Sequence, residues 1–136
     1  MGPSPTVLII EDDPDYRAVL QEILQAGGYR VETATTGQEG LTRVPLVRPD
    51  LIILDVMMEK TISGFEVAKR LKSRDPGSEY AAFARTPILI LTAIHQTTFF
   101  RFQPDDDYLP VEDFMEKPPD RKELLSRVGH LLARPH

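Results

Sequence analysis

The chain has 136 residues, the length of one domain, and its 41% hydrophobic and 27% charged residues are a globular composition. The net charge of −5 does not indicate a nucleic-acid-binding face, and the absence of cysteine excludes disulfides and thiolate metal sites. No apolar stretch approaches the roughly 20 residues that span a bilayer, and the N-terminus has no secretion signal. We therefore expect a cytoplasmic protein without membrane contact.

The first half of the chain predicts two strand–helix pairs. The apolar run at 7–10 is typical of a buried strand, and the apolar spacing over 16–24, ended by a glycine pair, predicts a helix. Residues 29–34 alternate as a second strand, and 36–44 predict a weaker helix that ends before Pro45. The apolar positions of the first helix are all predicted to face the core: Tyr16, Val19, Leu20, Ile23 and Leu24.

The second half continues the alternation less regularly. Residues 51–54 predict a third strand, and residues 63–71 predict a helix. A long irregular link then leads to a fourth strand at 88–91, and a brief fifth strand at 114–116 precedes a last helix that begins near Asp120. The intervening segment contains prolines and poor helix formers, so we expect the helix after the fourth strand to be short or missing.

Strands that alternate with helices predict an α/β fold, a doubly wound five-stranded parallel sheet covered on both faces. We expect a single domain over residues 6–134 and a disordered tail over 1–5. Because no output domain follows the last helix, the chain is either a single-domain protein or an excised domain, and the sequence does not decide between them.

Polar residues stand where four of the predicted strands end. Glu11 and Asp12 follow the first strand, Asp55 the third, Thr92 the fourth and Lys117 the fifth. The carboxyl ends of parallel strands lie along one edge of a sheet, where ligands bind at the reversal of strand order. The sequence therefore predicts one crevice that holds three carboxylates, a hydroxyl and an ammonium group.

This set of groups suits phosphoryl transfer to a carboxylate. Clustered carboxylates repel each other, and Mg²⁺ relieves the repulsion because it prefers oxygen ligands. A carboxylate can attack phosphorus to give an aspartyl phosphate, and the transferred group then needs positive charge and hydrogen-bond donors on its oxygens. Mg²⁺ and Lys117 would supply the charge, and Thr92 would supply the donor.

The chain resembles the receiver domains of bacterial two-component response regulators. The matching stretches are VLIIEDDPDYR, DLIILDVMM followed by GFEV, PILILTA, and FMEKP followed by an amphipathic helix. The resemblance covers about residues 6–133 and implies a flavodoxin-like (βα)₅ fold. It also implies a phosphoprotein that is phosphorylated by a histidine kinase or phosphotransfer protein and that signals through protein contacts, without touching nucleic acid directly and without acting as a turnover enzyme.

The resemblance assigns a role to each residue at the strand ends. Asp55 would accept the phosphoryl group. Glu11, Asp12, Asp55 and the backbone carbonyl of Met57 would hold Mg²⁺, with Glu11 acting through water. Asp13 matches a variable position and receives no role.

Four further residues match positions of the family's pattern, and two of them, Thr92 and Phe114, match its switch. Thr92 would bind a phosphoryl oxygen and move towards it, and Lys117 would pair with another oxygen. Phe114 would change rotamer with Thr92. Pro118 matches a proline that often follows a cis peptide bond, which an X-Pro bond can adopt.

Each of these residues also has an ordinary structural interpretation. Asp12 and Asp13 could cap the first helix, since acidic residues suit a helix N-terminus. Asp55 could form a turn, Thr92 could be an N-cap and Lys117 could be a solvated charge. All of these interpretations would have to hold together to remove the predicted site. The three histidines lack metal-ligand spacing and are expected at the surface.

Two stretches depart from the family pattern. The family usually has proline four residues after the acceptor and glycine at eight, whereas here Glu59 stands at four and Gly64 at nine. In the second stretch, between Thr92 and Lys117, the aromatic residues of segment 99–102 are expected to cover the sheet in place of a helix. They could instead form a docking surface for a partner.

Three functions remain open from the sequence. The first is a phosphoryl-accepting switch, the second a pseudo-receiver that binds partners independently of phosphorylation. The third, a phosphatase resembling the haloacid dehalogenases, is disfavoured because Met57 stands where that family has a second aspartate. The kinase, the output partner, the phosphoryl lifetime and dimerisation are not specified by the sequence.

Overall fold

The computed structural model describes most of the chain as alternating strands and helices. The described ranges are residues 4–55, 64–72, 77–92, 113–116 and 120–133. The strands are β1 (Thr6–Ile10), β2 (Arg30–Ala34), β3 (Leu51–Asp55), β4 (Ile88–Thr92) and β5 (Asp113–Glu116). The helices are α1 (Pro14–Ala26), α2 (Gly37–Val47), α3 (Gly64–Leu71) and α4 (Arg121–Ala133), with a short 3₁₀ turn over Ala81–Phe83.

The strands form one parallel sheet in the order β2-β1-β3-β4-β5, which confirms the predicted doubly wound α/β fold. The chain first moves outward from β1 to β2 and then returns to the other side of β1 to form β3. The strand order therefore reverses between β1 and β3. In open α/β sheets a crevice for ligands forms at this reversal, outside the carboxyl ends of the strands.

The two faces of the sheet have separate cores. One face packs against α2 and α3 and includes Ile10, Leu54 and Ile90, whereas the other packs against α1 and α4 and includes Ile9 and Ile53. Because side chains of a strand alternate between the faces, the central strands must be apolar at every position. The run Val7–Ile10 and the run Leu51–Leu54 are accordingly almost fully buried.

The prediction that α2 ends before Pro45 is wrong. The helix continues to Val47, and Pro45 lies inside its last turn. Proline has no N–H to donate to the carbonyl of Leu41, but this costs the helix a single bond near its end. The helix then stops at Arg48, whose backbone has the left-handed φ of 54° and whose N–H donates to the carbonyl of Val44 at 2.8 Å.

The prediction that Val19 faces the core is also wrong. Val19 is 51% exposed, whereas Leu20, Ile23 and Leu24 of the same helix are buried and Tyr16 packs partly buried against them. At about 100° per residue, Val19 lies on the margin of the apolar stripe whose centre these four residues form.

Several predictions lie outside the described residues. They concern the tail over 1–3, the long loop after Asp55 with Met57 and Glu59, the short or missing helix in segment 93–112, and Lys117 with Pro118. These stay predictions.

Candidate functional site

The register of the sheet places the first two acidic positions side by side. Ile10 of β1 is paired with Leu54 of β3, so Glu11 and Asp55 occupy the next position on these neighbouring strands. Adjacent strands lie about 4.8 Å apart. Both residues therefore stand at the carboxyl edge of the sheet, at the reversal of strand order where the sequence predicted a crevice.

The same register continues across the other two strands. Asp55 of β3 is paired with Leu91 of β4, which puts Thr92 one position further along the same edge. Thr92 in turn is paired with Glu116 of β5, the residue immediately before Lys117. The backbone thus brings the ends of four strands to one edge, while the side chains of Asp55, Thr92 and Phe114 and all of Lys117 lie outside the description.

Glu11 is fixed at this edge by three hydrogen bonds. Its N–H donates to the carbonyl of Ala34 at 3.0 Å, which joins it to the end of β2. Its carbonyl accepts a hydrogen bond of 2.9 Å from Nη1 of Arg17. Its Oε2 accepts a hydrogen bond of 3.2 Å from the N–H of Asp13. With 1% of its surface exposed, Glu11 is a buried carboxylate held in a defined position.

Asp13, and not Asp12, caps the first helix. Oδ1 of Asp13 accepts hydrogen bonds from the N–H groups of Asp15 and Tyr16 at 3.0 and 3.3 Å, so Asp13 is the N-cap of α1. Asp12 is half-buried between Glu11 and this cap. The structural interpretation of the acidic run therefore applies to Asp13, which had received no functional role.

The donor set at this edge fits a hard divalent cation. Burying a carboxylate such as that of Glu11 is costly unless it is hydrogen-bonded or lies near positive charge, and Mg²⁺ takes oxygen ligands from one or two carboxylates. Glu11 and Asp12 supply such oxygens at adjacent positions. Within the described ranges no three metal-ligating side chains form a cluster, and the third predicted carboxylate, Asp55, has its side chain outside those ranges.

The loop after β2 borders the same edge and leads into α2, whose first turn contains a second ordered carboxylate. Glu39 accepts hydrogen bonds from the N–H and the hydroxyl of Thr35, and its own N–H donates to Oγ1 of Thr36 at 3.0 Å. The hydrogen bond from the Thr35 backbone holds the pKa of Glu39 below its usual value, with smaller contributions from the Thr35 hydroxyl and from the positive charges of Arg43 and Arg17.

Arg17 is the residue at this edge that sequence reasoning missed. Its contact with the carbonyl of Glu11 spans six positions and joins a helix to the strand end before it. Arg17 is the last residue of the stretch VLIIEDDPDYR that matches the family, but an arginine near the start of an amphipathic helix ordinarily indicates a solvated face, so the contact itself was not predicted.

The fold and this edge define a receiver domain, and comparison with known proteins shows the family. Residues 7–129 match the family described as the response regulator receiver domain. The chain therefore belongs to the receiver domains of two-component response regulators, which act as phosphoacceptors in signalling.

Individual relatives are similar over nearly the whole chain. The DNA-binding dual master transcriptional regulator RpaA of Synechocystis is 38% identical over 130 residues, which are 96% of this chain and 50% of RpaA. AfsQ1, a transcriptional regulatory protein of Streptomyces coelicolor, is 35% identical, and the match covers 96% of this chain and 52% of AfsQ1. The chain thus spans about half the length of the curated relatives it matches.

Solved structures show the same fold. The chemotaxis protein CheY4 of Vibrio cholerae is 30% identical with a TM-score of 0.74, and the match covers 94% of this chain and 98% of that one. The receiver domain of the sensor histidine kinase PA1611 of Pseudomonas aeruginosa has a TM-score of 0.75 at 23% identity, covers 96% of this chain and 99% of that one, and holds magnesium in its active-site cleft. In the described parts of our chain, no helix has the length and apolarity needed to cross a membrane.

Proposed function

We propose that Asp55 is the phosphoryl acceptor of this receiver domain and that its phosphorylation by a histidine kinase or phosphotransfer protein depends on Mg²⁺. The observation that carries the proposal is the register, because Asp55 ends β3 at the strand-order reversal, next to the position of Glu11. A carboxylate at that point can be approached from outside the sheet while its backbone is paired with Leu91 of β4.

Glu11, Asp12, Asp55 and the carbonyl of Met57 are the proposed ligands of Mg²⁺. The bound ion would neutralise charge on the phosphoryl oxygens and reduce repulsion between those oxygens and the acidic residues. The magnesium found in the PA1611 receiver supports the assignment by analogy of fold. In our chain, the contribution that the structure describes is the fixed, buried carboxylate of Glu11.

Thr92 and Lys117 are the proposed partners of the phosphoryl oxygens. The pairing of Thr92 with Glu116 puts the end of β4 beside the residue that precedes Lys117, so a hydroxyl and an ammonium group start from neighbouring strand ends. Movement of Thr92 towards the phosphoryl group, followed by a rotamer change of Phe114, would alter the surface around β5 and α4. The added charge of the phosphoryl group would then shift this surface between two conformations that differ in their affinity for a partner.

The domain is proposed to act as a switch without turnover of a substrate. Its direct partners would be the phosphodonor protein and a downstream protein or output domain, in the cytoplasm. RpaA is described as DNA-binding, and the chain matches half of that protein. For the receiver domain itself we propose signalling by protein contact without direct contact to nucleic acid.

The proposal is tested by intact-mass analysis after incubation with Mg²⁺ and a small phosphodonor such as acetyl phosphate. The wild-type chain is expected to gain the mass of one phosphoryl group, and chelation of Mg²⁺ should abolish the gain. Asp55→Asn should remove it, because an amide is a poor nucleophile. The control Asp50→Asn changes an aspartate at the opposite end of β3, where its carboxylate accepts a hydrogen bond from Thr6.

The outcomes separate the three functions. Equal labelling of wild type and Asp55→Asn would refute the assignment of the acceptor. A folded wild-type chain that takes no label under any Mg²⁺ concentration would support a phosphorylation-independent interaction module. Sustained hydrolysis of a generic phosphate ester would support a phosphatase.

A further inference from the structure

The side chain of Arg17 joins α1 to the carboxyl end of β1. Arg17 is half-buried, and its Nη1 donates to the carbonyl of Glu11 at 2.9 Å. The backbone of Arg17 is itself held in the first helical hydrogen bond, from its N–H to the carbonyl of Asp13 at 2.9 Å. The guanidinium therefore reaches back from a fixed helix to the loop that carries the acidic pair.

The bonded carbonyl belongs to the peptide group between Glu11 and Asp12. Fixing a peptide plane restricts the rotation that sets where the next side chain projects, because the backbone has only two soft dihedrals per residue. The N–H of Glu11 is held by Ala34 and its carboxylate by the N–H of Asp13. Of these three hydrogen bonds, the one from Arg17 is made to the peptide group that joins Glu11 to Asp12.

We propose that Arg17 is a positioning residue for the magnesium site, where it holds the Glu11–Asp12 peptide so that both carboxylates can bind one ion. This inference rests on the proposed function, since it assumes that Glu11 and Asp12 hold Mg²⁺. Arg17 would not touch the ion. It would act as the outer partners of metal ligands generally do, by orienting the ligands before the metal arrives.

The positive charge of Arg17 would weaken Mg²⁺ binding, whereas its positioning of the two carboxylates would strengthen it. A cation near the acidic pair repels Mg²⁺, and this repulsion is screened over about 10 Å at 0.1 M ionic strength. Its charge also reaches Glu39, whose pKa it helps to lower. Removing Arg17 would therefore tighten Mg²⁺ binding if charge dominated and weaken it if positioning dominated.

Positioning is expected to dominate because the two effects differ in range and in solvent exposure. The hydrogen bond is direct and charge-assisted, whereas the repulsion acts across a crevice open to water and salt. Loss of an outer partner of a metal ligand typically lowers metal affinity at least about tenfold. The sign of the change therefore distinguishes the two roles.

The test measures Mg²⁺ affinity by titration calorimetry on the folded chain at 0.1 M and at higher salt. Arg17→Met keeps the aliphatic stem and removes both charge and donors, and we expect it to bind Mg²⁺ about tenfold more weakly at both salt concentrations. Arg17→Lys keeps the charge but replaces the planar fork with a single ammonium, so it should show a smaller loss. The control Arg30→Met removes an exposed arginine at the opposite end of the sheet and should bind like the wild type.

A second measurement, hydrogen exchange in the absence of metal, reports on how firmly the acidic pair is held. The amide of Asp13 donates to Glu11 Oε2, so its hydrogen exchange should accelerate in Arg17→Met and stay unchanged in Arg30→Met. Wild-type or tighter Mg²⁺ binding by Arg17→Met would overturn the inference. If that variant does not fold, wild-type affinity in Arg17→Lys would overturn it. Failure of the wild type itself to bind Mg²⁺ would instead overturn the proposed function.

Discussion

At the scale of single residues, the carboxylate of Glu39 stabilises the start of α2 through its hydrogen bonds to Thr35. Thr36 completes the arrangement as N-cap, because its Oγ1 accepts from the N–H of Glu39. This is a variant of the capping box, in which a hydroxyl residue and an acidic residue three positions later satisfy the free N–H groups of the first turn.

The lowered pKa of Glu39 predicts how its stabilising effect depends on pH. A carboxyl group whose folded pKa lies below its unfolded value stabilises the protein above the unfolded pKa, about 4.3, and loses this effect as pH falls through the folded pKa. Glu39→Ala should therefore lower the free energy of unfolding at pH 7 and lower it less near pH 3. Urea titrations at both pH values measure this.

Glu39→Gln is the matched variant for the same measurement. Glutamine keeps an oxygen that can accept the Thr35 hydrogen bonds but carries no charge. Glu39→Gln should therefore lower the free energy of unfolding at pH 7 by less than Glu39→Ala does. If Glu39→Ala lowers the free energy of unfolding equally at both pH values, the role assigned to the charge of Glu39 is contradicted.

Gly40 shows how closely α2 packs behind the acidic pair. A Cβ atom at Gly40 would lie 2.4 Å from Cδ1 and 2.8 Å from Cγ1 of Ile10, the residue before Glu11. Gly40→Ala should gain about 1 kcal/mol of helix propensity but lose about 1–3 kcal/mol to overpacking, so we expect net destabilisation and a shift of Glu11. Thermal unfolding and Mg²⁺ titration measure the two effects.

Gly129 provides the control for this substitution. It lies in α4, and a Cβ there would find Oη of Tyr29 at 3.7 Å, an ordinary contact distance. Gly129→Ala should therefore stabilise the chain by up to about 1 kcal/mol. Equal effects at the two positions would show that propensity alone decides them and that the packing of α2 on Ile10 is looser than the structure has it.

At the scale of elements, α2 ends in a conformation that its sequence does not favour. Arg48 adopts the left-handed φ of 54°, which costs roughly 1–2 kcal/mol in a residue with a Cβ atom. Arg48→Gly should raise the free energy of unfolding by up to about 1 kcal/mol, since glycine is the usual residue at such a helix end. Arg48→Ala is the control, and its free energy of unfolding should not rise, because alanine keeps the Cβ atom. An equal rise in both variants would show that the arginine side chain, and not the backbone conformation, is the cause.

Elements were predictable from the sequence where apolar residues were continuous or strongly periodic. The strands β1 and β3 and the buried face of α4 follow directly from such patterns, and the structure has them within one or two residues. The end of α2 was not predictable, because the continuation past Pro45 depends on how the last turn packs. The exposure of Val19 was missed since the margin of an apolar stripe depends on neighbouring elements.

At the scale of the whole molecule, the order of polar residues after the strands was enough to predict that these positions meet at one edge of the sheet. The sheet order and register place the positions of Glu11, Asp55 and Thr92 along that edge. What the sequence could not indicate was the support around them. The contacts of Glu11 with Ala34 and Arg17 join residues distant in the chain or on different elements, and no periodic pattern encodes them.

The central claim is that the carboxylate at the end of β3 is the one that carries the phosphoryl group. Borohydride reduces an aspartyl phosphate to homoserine, so reduction after labelling in Mg²⁺, followed by tandem mass spectrometry, identifies the residue that was phosphorylated. We expect homoserine at position 55 and at no other aspartate. Homoserine at Asp12 or Asp13, or its absence from position 55 in a chain that has gained phosphoryl mass, would contradict the account.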